Sequence, residues 1–386
     1  MAPLTNDDVS GMRFAVTYGL HVAETEARDL AAHIANEQTV ESAEAILPAG
    51  PIRDHLLGRV EEVRRLAPDR HEAIVSYSVD LLESTCARLL NVLFGMSSLR
   101  AGVCVMHVEW PEAVLARWAG PGFGRDGLRA LVGAPDRPLV CGVLKPIGRT
   151  PAELADLARQ FALGGIDLVK DDQGLGDHAF CSFEERVLRC ADAVARASKE
   201  IGKPCLYLPH VTGPGETLKA RARRAKQAGA GGLLVCPGLV GFDAIGDLAQ
   251  DDSVGLPIMA HPALLGALTA DEGSGMAPAL MFGQLPRLAG ADACLFPAFD
   301  TGYRMTRDDC RAVAHAAGRT WGDLKPMLPA VGGRIDASRV AELAHVFGHD
   351  LIMILGSAMQ REPHGIAPAC RAFMRTVTES AARART

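Results

Sequence analysis

The stretch GGIDLVKDDQGLGD, Gly164 to Asp177, sets an apolar strand against a charged tip. Ile166, Leu168 and Val169 belong in a core, yet Lys170, Asp171 and Asp172 follow at once and Gln173 comes next. Ionisable groups at the end of a buried strand are costly unless they pair, bind a metal or face a cleft. A near-continuous apolar strand also implies parallel pairing with both faces covered.

Working outward, the same kind of run recurs: LVCGVLK (139–145), GIDLVKDD (165–172), CLYLPHV (205–211), GGLLVCP (231–237), LPIMAHP (256–262), ACLFPAF (293–299), KPMLPAVGG (325–333) and LIMILGS (351–357), eight in all. Helical patterns separate them. Thr150 serves as N-cap with Pro151 at the first helical position and Gly164 as a stop, and Asp336 precedes ASRVAELAHVFG, which ends at Gly348. Eight such β-then-α units close into a barrel, so the fold class is α/β with a C-terminal (β/α)8 TIM barrel over residues 131–386.

Residues 1–130 read as a separate N-terminal α+β domain. MRFAVTYGL, AIVSYSVD and AGVCVMHVEW are its expected strands, with helices in ETEARDLAAHIANEQ, DLLESTCARLLNVL and PEAVLARWAG. The glycine- and proline-rich GPGFGRDGLRALVGAPDRP is the expected connection. RVEEVRRL (59–66) and FEERVLR (183–189) read as solvated helix faces, and the tail ESAARART as a fraying end.

Composition narrows the function. Of the 386 residues 48% are hydrophobic and the formal charge is -6, so no basic balance invites nucleic acid or an anionic membrane. The ten cysteines form no CxxC pair and sit mostly in apolar runs, which suits a reducing compartment. MAPLTNDDVSG lacks the features of a signal peptide and no run reaches membrane-spanning length, so a cytoplasmic location is expected.

Barrel chemistry sits at the C-terminal strand ends. Those ends carry Lys145; Lys170, Asp171, Asp172 and Gln173; His210 and Thr212; His261; Gly332 and Gly333; and Gly356 and Ser357. The last four are placed for phosphate binding through backbone N–H groups. Each position also has a plain alternative. Lys170 with its aspartates suits a structural ion pair, Lys145 a snorkelling side chain, His210 and His261 satisfied core histidines, and the glycine pair a tight turn.

GVLKPIG, FALGGIDLVKDD and PAVGGRI together resemble the large subunit of ribulose bisphosphate carboxylase, and most closely its rubisco-like relatives that do not fix carbon. The likeness extends to EQTVE (37–41) and GPGFG. It implies a Lys170 carbamylated by CO2 that holds Mg2+ together with Asp172 and the next position, Gln173. Mg2+ prefers hard oxygen ligands, and carbamylation turns a cation into one. The family usually has glutamate where this chain has Gln173. The resemblance further implies catalytic roles for Lys145, Lys170 and His261, and a homodimer in which Glu37 and Thr39 reach the neighbouring subunit's site.

Departures from the pattern argue against carbon fixation. The second lysine after Lys145 is replaced by Ile147, the arginine after His261 by Pro262, and the serine before the glycine pair by Val331. ACLFPAF lacks the strand-six histidine, DTGYRMTRDD lacks the lysine that closes over the site, and Met96 stands where an asparagine is expected. The resemblance therefore implies an enzyme acting through an enediolate on a substrate with one phosphate. The preferred activity is decarboxylation of a phosphorylated keto sugar acid of the 3-oxo-isoapionate 4-phosphate type. The alternatives are enolisation or isomerisation of a 5-methylthioribulose 1-phosphate type substrate, a metal-free lysine enzyme, and a non-catalytic scaffold.

Overall fold

The computed structural model describes residues 4–383. The chain divides into two compact units, one formed by residues 1–118 with 265–281 and the other by 119–264 with 282–386. The first holds a sheet of β1 (Arg13–Leu20), β2 (Arg59–Ala67), β3 (Arg70–Ser78) and β4 (Val103–Glu109), antiparallel wherever these four pair with one another. The second contributes β5 (Leu139–Leu144), β6 (Leu168–Asp171), β7 (Leu206–Leu208), β8 (Leu233–Val235) and β9 (Ile258–Ala260). Then β10 (Gly275–Met276) returns to the first sheet as a parallel neighbour of β4, before β11 (Ala293–Pro297), β12 (Leu328–Gly332) and β13 (Ile352–Leu355).

All eight apolar runs form parallel strands, in the order β7-β6-β5-β13-β12-β11-β9-β8. The ring closes between β7 and β8 through Gly231 N–H to Tyr207 O at 2.9 Å, Leu234 N–H to Pro209 O at 2.9 Å and Val211 N–H to Leu234 O at 3.0 Å. Alternate residues fill the interior: Leu139, Cys141 and Val143 from β5 meet Leu168, Leu208, Leu234, Met259, Leu295, Ala330 and Ile354. Lys170 follows Leu168 by two positions, so its side chain shares that inward face at the top of the barrel.

The helix Pro151–Leu163 opens on a complete capping box between Thr150 and Glu153. Asp336 caps a short 3-10 turn, Ala337–Arg339, that runs into the helix Val340–Phe347, with Gly348 at its end. Four expectations need correction. RVEEVRRL lies in strand β2, whose register shifts at Val60/Glu62 and Arg65/Ala67; these bulges break the two-residue alternation and leave the half-buried Val60, Val63 and Ala67 at a helix-like spacing. The connecting segment contains the helix Gly124–Val132. The helix Phe183–Ile201 buries Phe183, Arg186 and Val187, so FEERVLR is not a solvated face. The last helix, Ile366–Arg383, takes in most of the tail, and residues 384–386 lie outside the described residues. All ten cysteines are free thiols, and among the described residues no helix is long and apolar enough to cross a membrane.

Candidate active site

Strand β6 ends on Lys170 and Asp171, with Asp172 next in the chain, and the pleat gives these groups separate tasks. Asp171 is fully buried and has its own cation: Arg186 Nε lies 3.1 Å from Oδ2, Tyr207 OH donates to Oδ1 at 2.8 Å, and the His210 N–H donates to Oδ2 at 3.1 Å. Arg186 also donates to Gly176 O at 2.7 Å and Leu175 O at 3.3 Å, tying down the loop that carries Asp172 and Gln173. The structural ion pair foreseen for Lys170 thus belongs to Asp171 and Arg186.

Lys170 is 1% exposed, and among the described residues its amine bonds only to the Asp171 backbone carbonyl, at 3.1 Å. Burial pushes its pKa down, against the opposing pull of Cys141, Asp172 and Asp171. Asp172 is half-buried and Gln173 exposed, and neither side chain bonds to another described residue. Among the described residues no three His, Cys, Asp or Glu side chains converge as metal ligands. A divalent ion here would therefore need an oxygen that an ordinary side chain does not supply. A buried amine with a lowered pKa beside an unpartnered carboxylate fits carbamate chemistry, with the exposed Gln173 amide offering a neutral oxygen.

Lys145 leaves β5 level with Asp172, because Leu144 pairs with Asp171 in the β5–β6 register. Its amine lies 3.7 Å from where a Cβ on Gly356 would stand, which puts the cation beside the Gly356–Ser357 turn. The N–H groups of Gly333 and Gly356 donate to no described residue. Gly333 has φ +100°, and a Cβ there would lie 2.8 Å from Thr301 Cγ2, so glycine is required whatever binds. Gly333→Ala is expected to destabilise by about 1–3 kcal/mol. If the Gly333 N–H holds a substrate phosphate, the substitution should also raise KM about tenfold, as one charge-assisted hydrogen bond is distorted. Urea unfolding and steady-state kinetics check both.

His261 is 8% exposed, and its pKa is pushed down to about 3 by burial first and then by Lys170 and His210. The Ala263 N–H donates to its Nδ1 at 3.2 Å, so the neutral ring carries its proton on Nε2. At neutral pH this side chain is a hydrogen-bond donor and not an imidazolium acid. His210 has both nitrogens engaged, Nδ1–H to Leu175 O at 3.2 Å and Nε2 against Cys236 Sγ at 3.4 Å. Burial lowers its pKa and raises that of the Cys236 thiol.

Glu37 and Thr39 lie in the first unit. Glu37 ends the helix Glu24–Glu37, with His33 3.8 Å away. Thr39 donates to Ala35 O at 2.8 Å and accepts from the Gly58 N–H at 3.2 Å, so it closes that helix end. Arg186 and Cys236 were not foreseen as supports of the site. Arg186 had a signal: with Phe183, Val187 and Cys190 it falls on an apolar i, i+3, i+4, i+7 stripe, where a charge marks a buried partner.

Residues 126–384 match the ribulose bisphosphate carboxylase large chain, catalytic domain. The chain belongs to the rubisco large-chain family. Within it the chain is similar to rubisco-like proteins. It is 39% identical over 347 residues to ribulose bisphosphate carboxylase-like protein 1 of Rhodopseudomonas palustris, covering 90% of this chain and 92% of that one. It is 34% identical over 372 residues to the 5-methylthioribulose-1-phosphate isomerase of Rhodospirillum rubrum, covering 96% and 98%. The crystal structure of a rubisco-like protein from Rhodopseudomonas palustris superposes with a TM-score of 0.87 at 32% identity, covering 95% and 98%. The rubisco-like fold expected from the strand-end motifs is thereby shown.

Proposed function

We propose that this rubisco-like protein is an isomerase of a singly phosphorylated keto sugar of the 5-methylthioribulose 1-phosphate kind. It would move a proton from the carbon beside a ketone to the ketone carbon itself, so that the carbonyl passes to its neighbour through an enediolate. The observation that carries this reading is the set of lysines at the barrel mouth. Lys145 and Lys170 stand on adjacent strands, while the position two residues past Lys145 is the exposed Ile147 and the loop from Asp300 to Asp309 holds no lysine. Groups that stabilise and protonate an enediolate are present, and the lysine that would grip CO2 is not. The end-to-end likeness to an isomerase of such a substrate supports the same choice, and displaces the decarboxylase expected from sequence.

Lys170 and Asp172, with the Gln173 amide, would hold Mg2+, the first of them as a carbamate. Such an ion supplies Lewis-acid stabilisation of negative charge on neighbouring substrate oxygens. The chain's own groups do the rest. Backbone N–H groups of Gly333 and Gly356 hold the phosphate, and Lys145 lies beside that turn. A base takes the proton from the carbon next to the ketone, leaving an enediolate. The Nε2–H of His261 donates to its oxygen, and protonation of the other carbon completes the transfer. Lys145, at the mouth and less buried than Lys170, carries that proton. His210 acts through the loop it anchors. Glu37 and Thr39 belong, in this proposal, to a homodimer with a shared site.

The test is turnover of 5-methylthioribulose 1-phosphate in D2O, followed by NMR, with Mg2+ and bicarbonate or with EDTA. Isomer formation with deuterium entering next to the carbonyl, abolished by EDTA, is expected. Release of CO2 from a keto sugar acid phosphate, without exchange on the thiosugar, would return the assignment to decarboxylation. Exchange that survives EDTA, with an adduct trapped by borohydride, would favour a metal-free lysine enzyme.

A further inference from the structure

An open basin of about 630 Å³ lies at the opposite pole of the barrel, where the strands begin. Its floor is the Gly164–Gly165 turn ahead of β6, and one wall is a single face of the last helix, carrying Arg371, Arg375, Thr378 and Glu379. Arg137 and Lys203 face them. Four cations meet here on a chain whose formal charge is -6.

Local structure accounts for part of this. The fully buried Asp167 takes Arg137 in a two-pronged pair, 2.7 Å on each oxygen, and holds Lys203 at 3.1 Å. Arg371 gives one N–H to Leu163 O at 3.2 Å, capping the end of the helix Pro151–Leu163. One carboxylate therefore serves two cations, and Glu379 lies within 3.5 Å of Arg383, outside the basin. Arg375 bonds to no described residue, although it stands one turn from Arg371, a like-charged spacing that weakens a helix. Arg371 has its capping role, but nothing among the described residues of the helix or the barrel explains Arg375.

The geometry points to a second anion site: the basin binds a small phosphorylated molecule, its phosphate taken by Arg371 and Arg375 in the forked manner of guanidinium groups. The basin has room for more than a bare phosphate. The site is separate from the glycine turns at the mouth and does not depend on the proposed reaction.

Calorimetric titration of the full-length protein with inorganic pyrophosphate tests it. Arg371→Ala/Arg375→Ala is expected to remove one bound pyrophosphate per chain, or to weaken that site tenfold or more, with turnover in the absence of pyrophosphate unchanged. Thr378→Trp fills the basin without altering charge and should have the same effect. Stoichiometry and affinity unmoved by the double variant would overturn the proposal. So would a loss in the double variant that Thr378→Trp does not reproduce, which is non-specific attraction. A change of oligomeric state in the double variant with no change in pyrophosphate binding would make the basin a contact between copies and would equally overturn it. Because the readout is the loss of one site per chain, failure of the mouth to bind phosphate lowers the starting stoichiometry and leaves the expected loss the same.

Discussion

Lys170→Met is expected to abolish turnover while leaving the fold as stable as before or more so. Removing one preorganised stabiliser of developing charge lowers kcat by about 10²–10³. Here the loss should be at least that large, because the same change removes the nitrogen on which the proposed carbamate would form and would leave Asp172 without the fellow ligand proposed for it. Stability moves the other way. The amine is buried and its pKa is lowered chiefly by that burial. The unfolded chain, with an ordinary lysine pKa of about 10.4, therefore binds the proton more tightly than the folded one. A lowered folded pKa means that stability rises with pH between the folded value and the unfolded one, and that the full penalty applies below the folded value. Methionine, of similar length and uncharged, removes the penalty. Urea unfolding across neutral to alkaline pH should show the wild-type rise and a flatter profile for the variant. A variant that is destabilised at neutral pH, or that retains more than a tenth of wild-type kcat, would contradict this account of Lys170.

The barrel was legible because its strands are covered on both faces, so apolar character runs almost unbroken through GIDLVKDD or LIMILGS, and a charge at the strand end stands out. Helix starts such as Thr150–Pro151 were legible because capping is local chemistry. What escaped depends on tertiary register. The bulges of β2 disguise a strand as a helix, and β10 joins its sheet through only Gly275 and Met276. The pairing of His210 with Cys236 joins residues 26 apart in sequence, across the seam where β7 meets β8. The separation of Lys170 from Asp171 was implicit in strand alternation. The partner of Asp171 was not, since it lies on the following helix.

That partner makes Arg186→Met the change expected to damage the fold most. The guanidinium and the Asp171 carboxylate are both 0% exposed, so methionine leaves a buried carboxylate with only the Tyr207 hydroxyl and the His210 N–H as donors. Breaking a buried pair from one side costs about 3–5 kcal/mol. At roughly 2–4 °C per kcal/mol for a domain of this size, Tm should fall by on the order of 10 °C. Gly176 O loses its donor as well and Leu175 O keeps only the His210 Nδ1–H, so the loop holding Asp172 and Gln173 loosens and kcat should fall with stability. The double variant Asp171→Leu/Arg186→Met separates the two effects. It removes the orphaned charge and should recover much of the lost Tm, whereas the loop still lacks its bonds from Arg186 and kcat should remain depressed. Calorimetry and steady-state kinetics on the single and double variants check this. Recovery of kcat in step with Tm would mean that Arg186 stabilises the barrel without positioning the loop.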